Sequence, residues 1–165
     1  MKTNYHTTNR VLVNDEYAAI IGKAVYLFFY YEWTLIYIID SLNHGFVKKY
    51  CRPSGKPLTS RAVKDELDKS LKNLKQSTSA AIIKDITTCS NLFGQLILKR
   101  NALIHAHPIT DNGGNHILSY RSNSSKPISD MKWPMKEVAE FVREIDKAVV
   151  IAGGILFKLR AENKI

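Results

Sequence analysis

The sequence predicts an all-α protein, an antiparallel bundle of four to five helices that forms one domain over residues 1–165. Apolar residues recur at helical spacing through four long stretches, and long runs of chain separate some of them. The composition agrees, because 165 residues with 45% hydrophobic side chains suffice for one domain with a core but not for two.

The first predicted helix begins at Asn14 or Asp15, either of which can cap it, and runs to about Leu42. Gly45 is suited to the left-handed conformation that ends many helices. Residues 1–13, before this helix, are predicted to be a loosely held arm.

This first helix is long and apolar enough to raise the question of a membrane span. The stretch 17–39 has spanning length, but it contains Lys23 and Glu32. Each of these charges costs about 2.5–3.5 kcal/mol near a bilayer centre. The sequence therefore favours a long buried helix of a soluble bundle, with no membrane partner.

Two more helices are predicted after a basic connection that contains Pro53, Gly55 and Pro57. Thr59 or Ser60 can cap the second helix, which runs to about Lys75. The third helix starts near Ser79 and reaches about His105, with apolar residues along one seam.

Residues 108–133 interrupt the helical pattern before the last helix. They contain Pro108, paired glycines at 113–114 and a polar Asn123-Ser124-Ser125 segment. We expect either a short two-stranded hairpin across 123–125 or a loop. Pro134 is well placed as the first residue of the last helix, which runs to about Leu159.

The charge of the chain points to a polyanionic partner. The formal net charge is +9 and the pI is about 9.5, which favours nucleic acid or an anionic membrane face. Residues 47–75 hold nine basic and three acidic side chains, a net +6. This segment is either a solvated helix face with a loop or a surface that contacts phosphates.

The two cysteines, Cys51 and Cys89, have neither CxxC nor paired spacing. They indicate no disulfide framework and no zinc site, so a reducing cytoplasm is the expected location. The N-terminus lacks the apolar run of a signal peptide. No cofactor is predicted, since the chain has no Gly-rich phosphate loop, no G-x-S-x-G and no H-E-x-x-H.

The segment Arg100-Asn101-Ala102-Leu103-Ile104-His105 carries the clearest chemical signal. Arg100 could present a planar fork of donors to a phosphate, and His105 could transfer a proton near neutral pH. Asn101 shares a helix face with His105 and could hold the imidazole or the substrate. The alternative is ordinary: cations near a helix C-terminus interact favourably with the helix dipole.

Glu32 is predicted to be buried, because its helical neighbours are apolar. A buried carboxylate needs a cation or hydrogen-bond donors from a neighbouring helix. Arg100 or Asn101 is the best partner that the sequence offers, while Lys99 and an exposed position are the alternatives. A polar cluster in an apolar groove is where pKa values shift and catalysis occurs.

Four further residues are candidate substrate contacts: His107, Lys99, Tyr120 and Arg121. His107 could be a second proton shuttle or a surface residue at the helix exit. Tyr120 and Arg121 could contact nucleic acid or could simply belong to a strand. His105 and His107 could bind a metal, but no Cys or carboxylate lies nearby in sequence, so no metal site is predicted.

The R-x4-H motif at 100–105, the polar residue after its Arg and the long first helix with an internal Glu resemble the HEPN superfamily. The resemblance implies a four- or five-helix bundle that dimerises and brings two motifs into a shared cleft. Many such domains are metal-independent endoribonucleases of toxin–antitoxin, abortive-infection and CRISPR-type defence systems. It also implies that Arg100 stabilises the transition-state phosphate, Asn101 assists and His105 is the acid–base residue. Glu32 and the 108–133 excursion fit the family less closely.

Two functions are therefore open. The first is a homodimeric, metal-independent endoribonuclease of toxin or phage-defence type, with RNA as substrate and an antitoxin or a defence-system protein as a further partner. The second is a non-catalytic HEPN-like module that dimerises or docks a partner. The aromatic first helix favours the second function, because it offers more apolar surface than one small bundle needs.

Overall fold

A computed structural model describes residues 14–50, 58–74, 79–122 and 129–162. The described ranges form five helices and one three-stranded antiparallel sheet: α1 Asp15–Leu42, α2 Phe46–Tyr50, α3 Ser60–Lys72, α4 Ala80–Ile104, β1 His107–Thr110, β2 His116–Tyr120, β3 Met131–Trp133 and α5 Met135–Glu162. The predicted arm at 1–13, the 53–57 connection and the 123–125 turn lie outside the described residues.

Helix α1 begins where its cap predicts. The Asn14 side chain accepts hydrogen bonds from the backbone N–H groups of Glu16 and Tyr17, at 2.8 and 3.3 Å. At the other end Gly45 has φ +93°, as expected, but the chain continues directly into α2, a short helix that was not predicted. The Asp40 carboxylate stabilises this junction by accepting from the N–H groups of residues 45 and 47.

None of the described helices combines the length and hydropathy that a membrane crossing requires.

Helices α1 and α5 lie side by side and point in the same direction. At their beginnings, the Tyr17 hydroxyl donates to the backbone carbonyl of Trp133. Towards their ends, the Arg160 guanidinium lies 5.8 Å from the ring centroid of Tyr37. This parallel pairing follows from the sheet, which returns the chain to the beginning of α1 before α5 starts.

Helix α4 runs opposite to α5. Its C-terminal part pairs with the first half of α5 through Lys99 and Glu144, and its beginning pairs with the end of α5 through Asp85 and Lys158. The predicted helical fold is confirmed. The prediction of an antiparallel arrangement holds for α4 against α5, but it is wrong for α1 and α5.

The core lies where α1, α4 and α5 meet. The Phe28 and Phe93 rings stack with centroids 5.8 Å apart, and the Tyr31 ring contacts Phe93 edge-on at 5.6 Å. The Tyr31 hydroxyl donates to the Cys89 carbonyl at 3.0 Å, so this buried polar group is satisfied. Each large apolar side chain that is fully buried here contributes roughly 1.5–3 kcal/mol.

The sheet lies between α4 and α5 in the sequence. Its strand order is β1-β2-β3, and both neighbouring pairs are antiparallel. Strands β2 and β3 flank 123–125, as the hairpin alternative predicted. Strand β1 was not predicted, because Pro108 is unusual in a strand; β1 is an edge strand, where proline is tolerated. Helix α5 begins at Met135, one residue later than predicted, and Pro134 supplies the carbonyl that accepts from Val138 N–H.

Tyr17 connects the sheet to the bundle. Its hydroxyl donates to the Trp133 carbonyl and accepts from the Leu118 N–H at 3.0 Å. Burial raises the pKa of the Tyr17 hydroxyl, and the Leu118 hydrogen bond lowers it by less. One side chain therefore holds two strands against the start of α1, next to the end of α4 where the candidate site lies.

Candidate functional site

Arg100 lies in the last two turns of α4 and reaches into the angle between α1 and α3. Its Nη2 donates to the Ser60 hydroxyl at 2.6 Å. The guanidinium carbon lies 4.8 Å from the Phe28 ring centroid and 6.0 Å from that of Phe29. The cation is therefore held between a polar contact on one helix and aromatic rings on another.

Glu32 faces the same place from α1. It is 5% exposed, so its predicted burial is observed. Burial raises the pKa of the Glu32 carboxyl, while a hydrogen bond from Ser60 and the positive charge of Arg100 lower it by less. No ion pair within 4.0 Å joins Glu32 to Arg100 among the described residues, so Ser60 is the group between them.

Ser60 is the site residue that the sequence analysis missed as such. It is the first residue of α3, and the preceding Thr59 serves as the cap, accepting from the Ala62 N–H at 3.2 Å. Because Thr59 occupies the capping role, the Ser60 hydroxyl is available to residues of other helices. Two adjacent hydroxyl residues at a predicted helix start were the signal, since one is enough to cap it.

The Glu32, Ser60 and Arg100 cluster has unused hydrogen-bonding capacity. Within the described residues, Oε1 of Glu32 and Nε of Arg100 are buried and have no hydrogen-bond partner. Buried polar atoms are normally paired, so each unpaired atom calls for an explanation. The cluster can accept one further donor and offer one further N–H to an acceptor.

His105 lies apart from this cluster. It is the exposed C-cap residue of α4, and its backbone N–H donates to the carbonyl of Asn101 at 3.0 Å. No side-chain hydrogen bond in the described part of the chain links the imidazole to Arg100, to the half-buried Asn101 or to Glu32. Positions 100 and 105 are about 140° apart around a helix. A single chain therefore does not assemble the predicted trio.

The candidate substrate contacts occupy different environments. Lys99 donates to both carboxylate oxygens of Glu144, at 2.7 and 2.5 Å, so it connects α4 to α5 and does not pair with Glu32. His107 and Arg121 are exposed. The prediction for Tyr120 needs correction: it is 5% exposed, because β2 is the central strand and packs against α4, so its ring is not available to a nucleic acid.

The part of the basic segment that forms α3 is nearly neutral, with four basic and three acidic side chains. Three of its cations pair with acids on the same helix: Arg61 with Asp65, Lys64 with Asp68, and Lys69 with Glu66. This favours the solvated-face interpretation for α3. Lys48 and Lys49 of α2 are exposed. In the described ranges, no three His, Cys, Asp or Glu side chains are grouped so that they could hold a metal ion.

Comparison with known proteins adds no relative. No family model matches the chain, no curated protein matches its sequence, and no solved structure matches its fold. The resemblance to HEPN domains therefore rests only on the 100–105 motif with its polar residue, the long first helix with its internal Glu, and the helix order.

Proposed function

We propose that the protein is a metal-independent endoribonuclease of HEPN type whose active site is completed by a second copy of the chain. The observation that carries the proposal is the pre-oriented Arg100, held by Ser60 beside buried Glu32, five residues before the exposed His105. A toxin or phage-defence role, with an antitoxin or defence-system partner, follows from the resemblance.

The chemistry would proceed within the RNA strand. The ribose 2′-OH attacks the adjacent phosphorus and the bond to the 5′-oxygen breaks, leaving a 2′,3′-cyclic phosphate and a 5′-OH. Arg100 would stabilise the charge that develops on the phosphate. His105 would take the proton from the 2′-OH or give one to the leaving oxygen.

Pairing of two chains could bring together the catalytic groups that a single chain keeps apart. In-line cleavage is best served by a base and an acid on opposite sides of the phosphorus. Two-fold pairing of the 100–105 segments would supply both from one gene. Ile104 is 47% exposed beside His105 and offers an apolar contact for such pairing.

The test is cleavage of total RNA in EDTA by the wild-type protein and by His105→Ala. We expect cyclic-phosphate ends from the wild type and a loss of about 10²–10⁴-fold in the variant. His44→Ala, at another exposed histidine, is the matched control and should cleave normally. Equal cleavage by wild type and His105→Ala, or none by the wild type, contradicts the proposal.

A second function is favoured by one observation: the Arg100 side chain contacts α1 and α3, as a purely structural cross-link would. The chain would then be a non-catalytic helical module that dimerises or docks a partner. In that case Arg100→Ala would lower the free energy of unfolding, and no concentration of wild-type protein would cleave RNA.

A further inference from the structure

Helix α5 carries an exposed apolar face in its second half. Val150 is 69% exposed and Phe157 is 76% exposed, and positions seven apart lie within about 20° of each other around a helix. Beside them runs a groove of about 350 Å³ between α1 and α5. Its apolar lining comes from Tyr30, Trp33, Tyr37, Val149 and Leu156. Large apolar side chains exposed together in this way are typical of an association surface.

Two glycines lie between these side chains. Gly153 and Gly154 are exposed, and a Cβ added to either would meet no atom within 4 Å. Glycine is a poor helix former, and no contact with the described part of the chain requires it at these positions. The open backbone, with a large side chain on either side, leaves room for a second helix to approach closely.

We propose that this face binds a second copy of the same chain, with the two α5 helices packed antiparallel and crossing at the glycines. Val150 and Phe157 lie at equal distances from the midpoint between Gly153 and Gly154. A two-fold axis through that midpoint therefore places each Val150 against the partner's Phe157. The face is complementary to itself, as an isologous interface requires.

One pair of exposed opposite charges favours the antiparallel direction. Asp146 and Arg160 are exposed and fall within about 40° of each other, on the side of the face next to α1. They also lie at almost equal distances from the crossing point. Antiparallel pairing sets Asp146 beside the partner's Arg160 twice, whereas parallel two-fold pairing would place these charges on opposite flanks of the interface and form neither contact.

This surface is separate from the proposed ribonuclease site. Lys99 contacts Glu144, which lies about nine residues before the crossing point. At about 1.5 Å per residue, the two α4 ends would be roughly 28 Å or more apart along the helix axes. The pairing therefore cannot join the two 100–105 segments, and it stands whether or not the chain cleaves RNA.

The first test is the mass of the full chain by sedimentation and light scattering up to high micromolar concentration. Gly153→Leu should keep the fold, because the space is open, and should weaken association by about tenfold or more. Gly22→Leu on α1 is the matched control: it is also exposed with nothing within 4 Å of its added Cβ, and should associate as the wild type does. A strictly monomeric wild type, or Gly153→Leu that associates normally, overturns the proposal.

The second test is charge reversal. Asp146→Arg and Arg160→Asp should each weaken association, and the double variant should restore it. Failure of the double variant to recover overturns the antiparallel arrangement.

A third variant, Ile104→Glu, distinguishes association through the α5 face from association through the 100–105 segments. This variant should leave association through α5 intact. If it, rather than Gly153→Leu, gives monomers, then chains associate at the 100–105 segments and the α5 face is available to a different partner.

Discussion

The Glu32, Ser60 and Arg100 cluster shows how three polar residues can be held inside a small apolar bundle. Burial disfavours the Glu32 carboxylate, and the Ser60 hydroxyl and the Arg100 charge offset only part of that penalty. Arg100 keeps an aromatic contact with Phe28, so the cation is stabilised without a direct ion pair. Oε1 of Glu32 and Nε of Arg100 remain without a hydrogen-bond partner among the described residues.

Glu32 should make the stability of the protein depend on pH in a defined direction. Its folded pKa is raised above its ordinary value, so the folded state binds more protons in the interval between the two pKa values. The free energy of unfolding should fall as the pH rises through that interval and level off above the folded pKa. Urea denaturation of the wild type and of Glu32→Gln at several pH values across the acid range checks this. As the pH rises, the free energy of unfolding of the wild type should fall relative to that of the variant. Parallel pH profiles would contradict it.

Ser60→Ala tests the link between the two charged groups. It removes a hydrogen-bond acceptor from Arg100 and a donor from Glu32, and leaving such groups unpaired costs about 1–3 kcal/mol. Ser79→Ala is the control, because Ser79 is exposed and makes no side-chain cap hydrogen bond. If the proposed function is right, RNA cleavage by Ser60→Ala should fall further than the lost stability explains. Equal stability of the two variants would exclude the link.

At the level of helices and strands, the packing of the molecule depends on side chains that connect one element to another. Thr59 caps α3 and so frees Ser60 to contact α1 and α4. Tyr17 holds β2 and β3 against α1. Lys99 and Glu144 connect the end of α4 to α5. These contacts set the position of the 100–105 segment relative to the sheet.

Tyr17→Phe should therefore loosen the sheet from the bundle. The change leaves the Leu118 N–H and the Trp133 carbonyl without this partner, at a cost of about 1–3 kcal/mol. Denaturation and amide hydrogen exchange of β2 are the measurements. Tyr26→Phe serves as the comparison, since Tyr26 is on the same helix but 68% exposed. Equal exchange in the two variants would show that Tyr17 does not hold the sheet.

For the whole molecule, the net charge of +9 together with the proposed function predicts binding to RNA that weakens with salt. The logarithm of the binding constant should fall linearly with the logarithm of salt, with a slope of about −0.7 per phosphate neutralised on a single strand. Lys48→Glu with Lys49→Glu should reduce the slope more than Lys64→Glu with Lys69→Glu. The reason is that Lys64 and Lys69 already pair with acids on α3. Equal effects of the two double variants would contradict this assignment.

The sequence alone was enough to predict the four long helices, though not the short α2, and the burial of Glu32. Helical periodicity and local caps predicted four long helices, of which α1 and α4 end within about one residue of the expected position. The burial of Glu32 followed from its apolar neighbours on one helix face. These features depend on residues within a few positions of each other, so a single sequence is enough to predict them.

Only the tertiary structure decided how these pieces meet. The parallel α1 and α5, the contact of Ser60 with Arg100 and the inward Tyr120 all depend on residues far apart in sequence. Ser60 and Arg100 are forty residues apart, and nothing near either one indicates the other. Periodicity shows which face of a helix is buried, but the packing of several such faces together determines which neighbour each one meets.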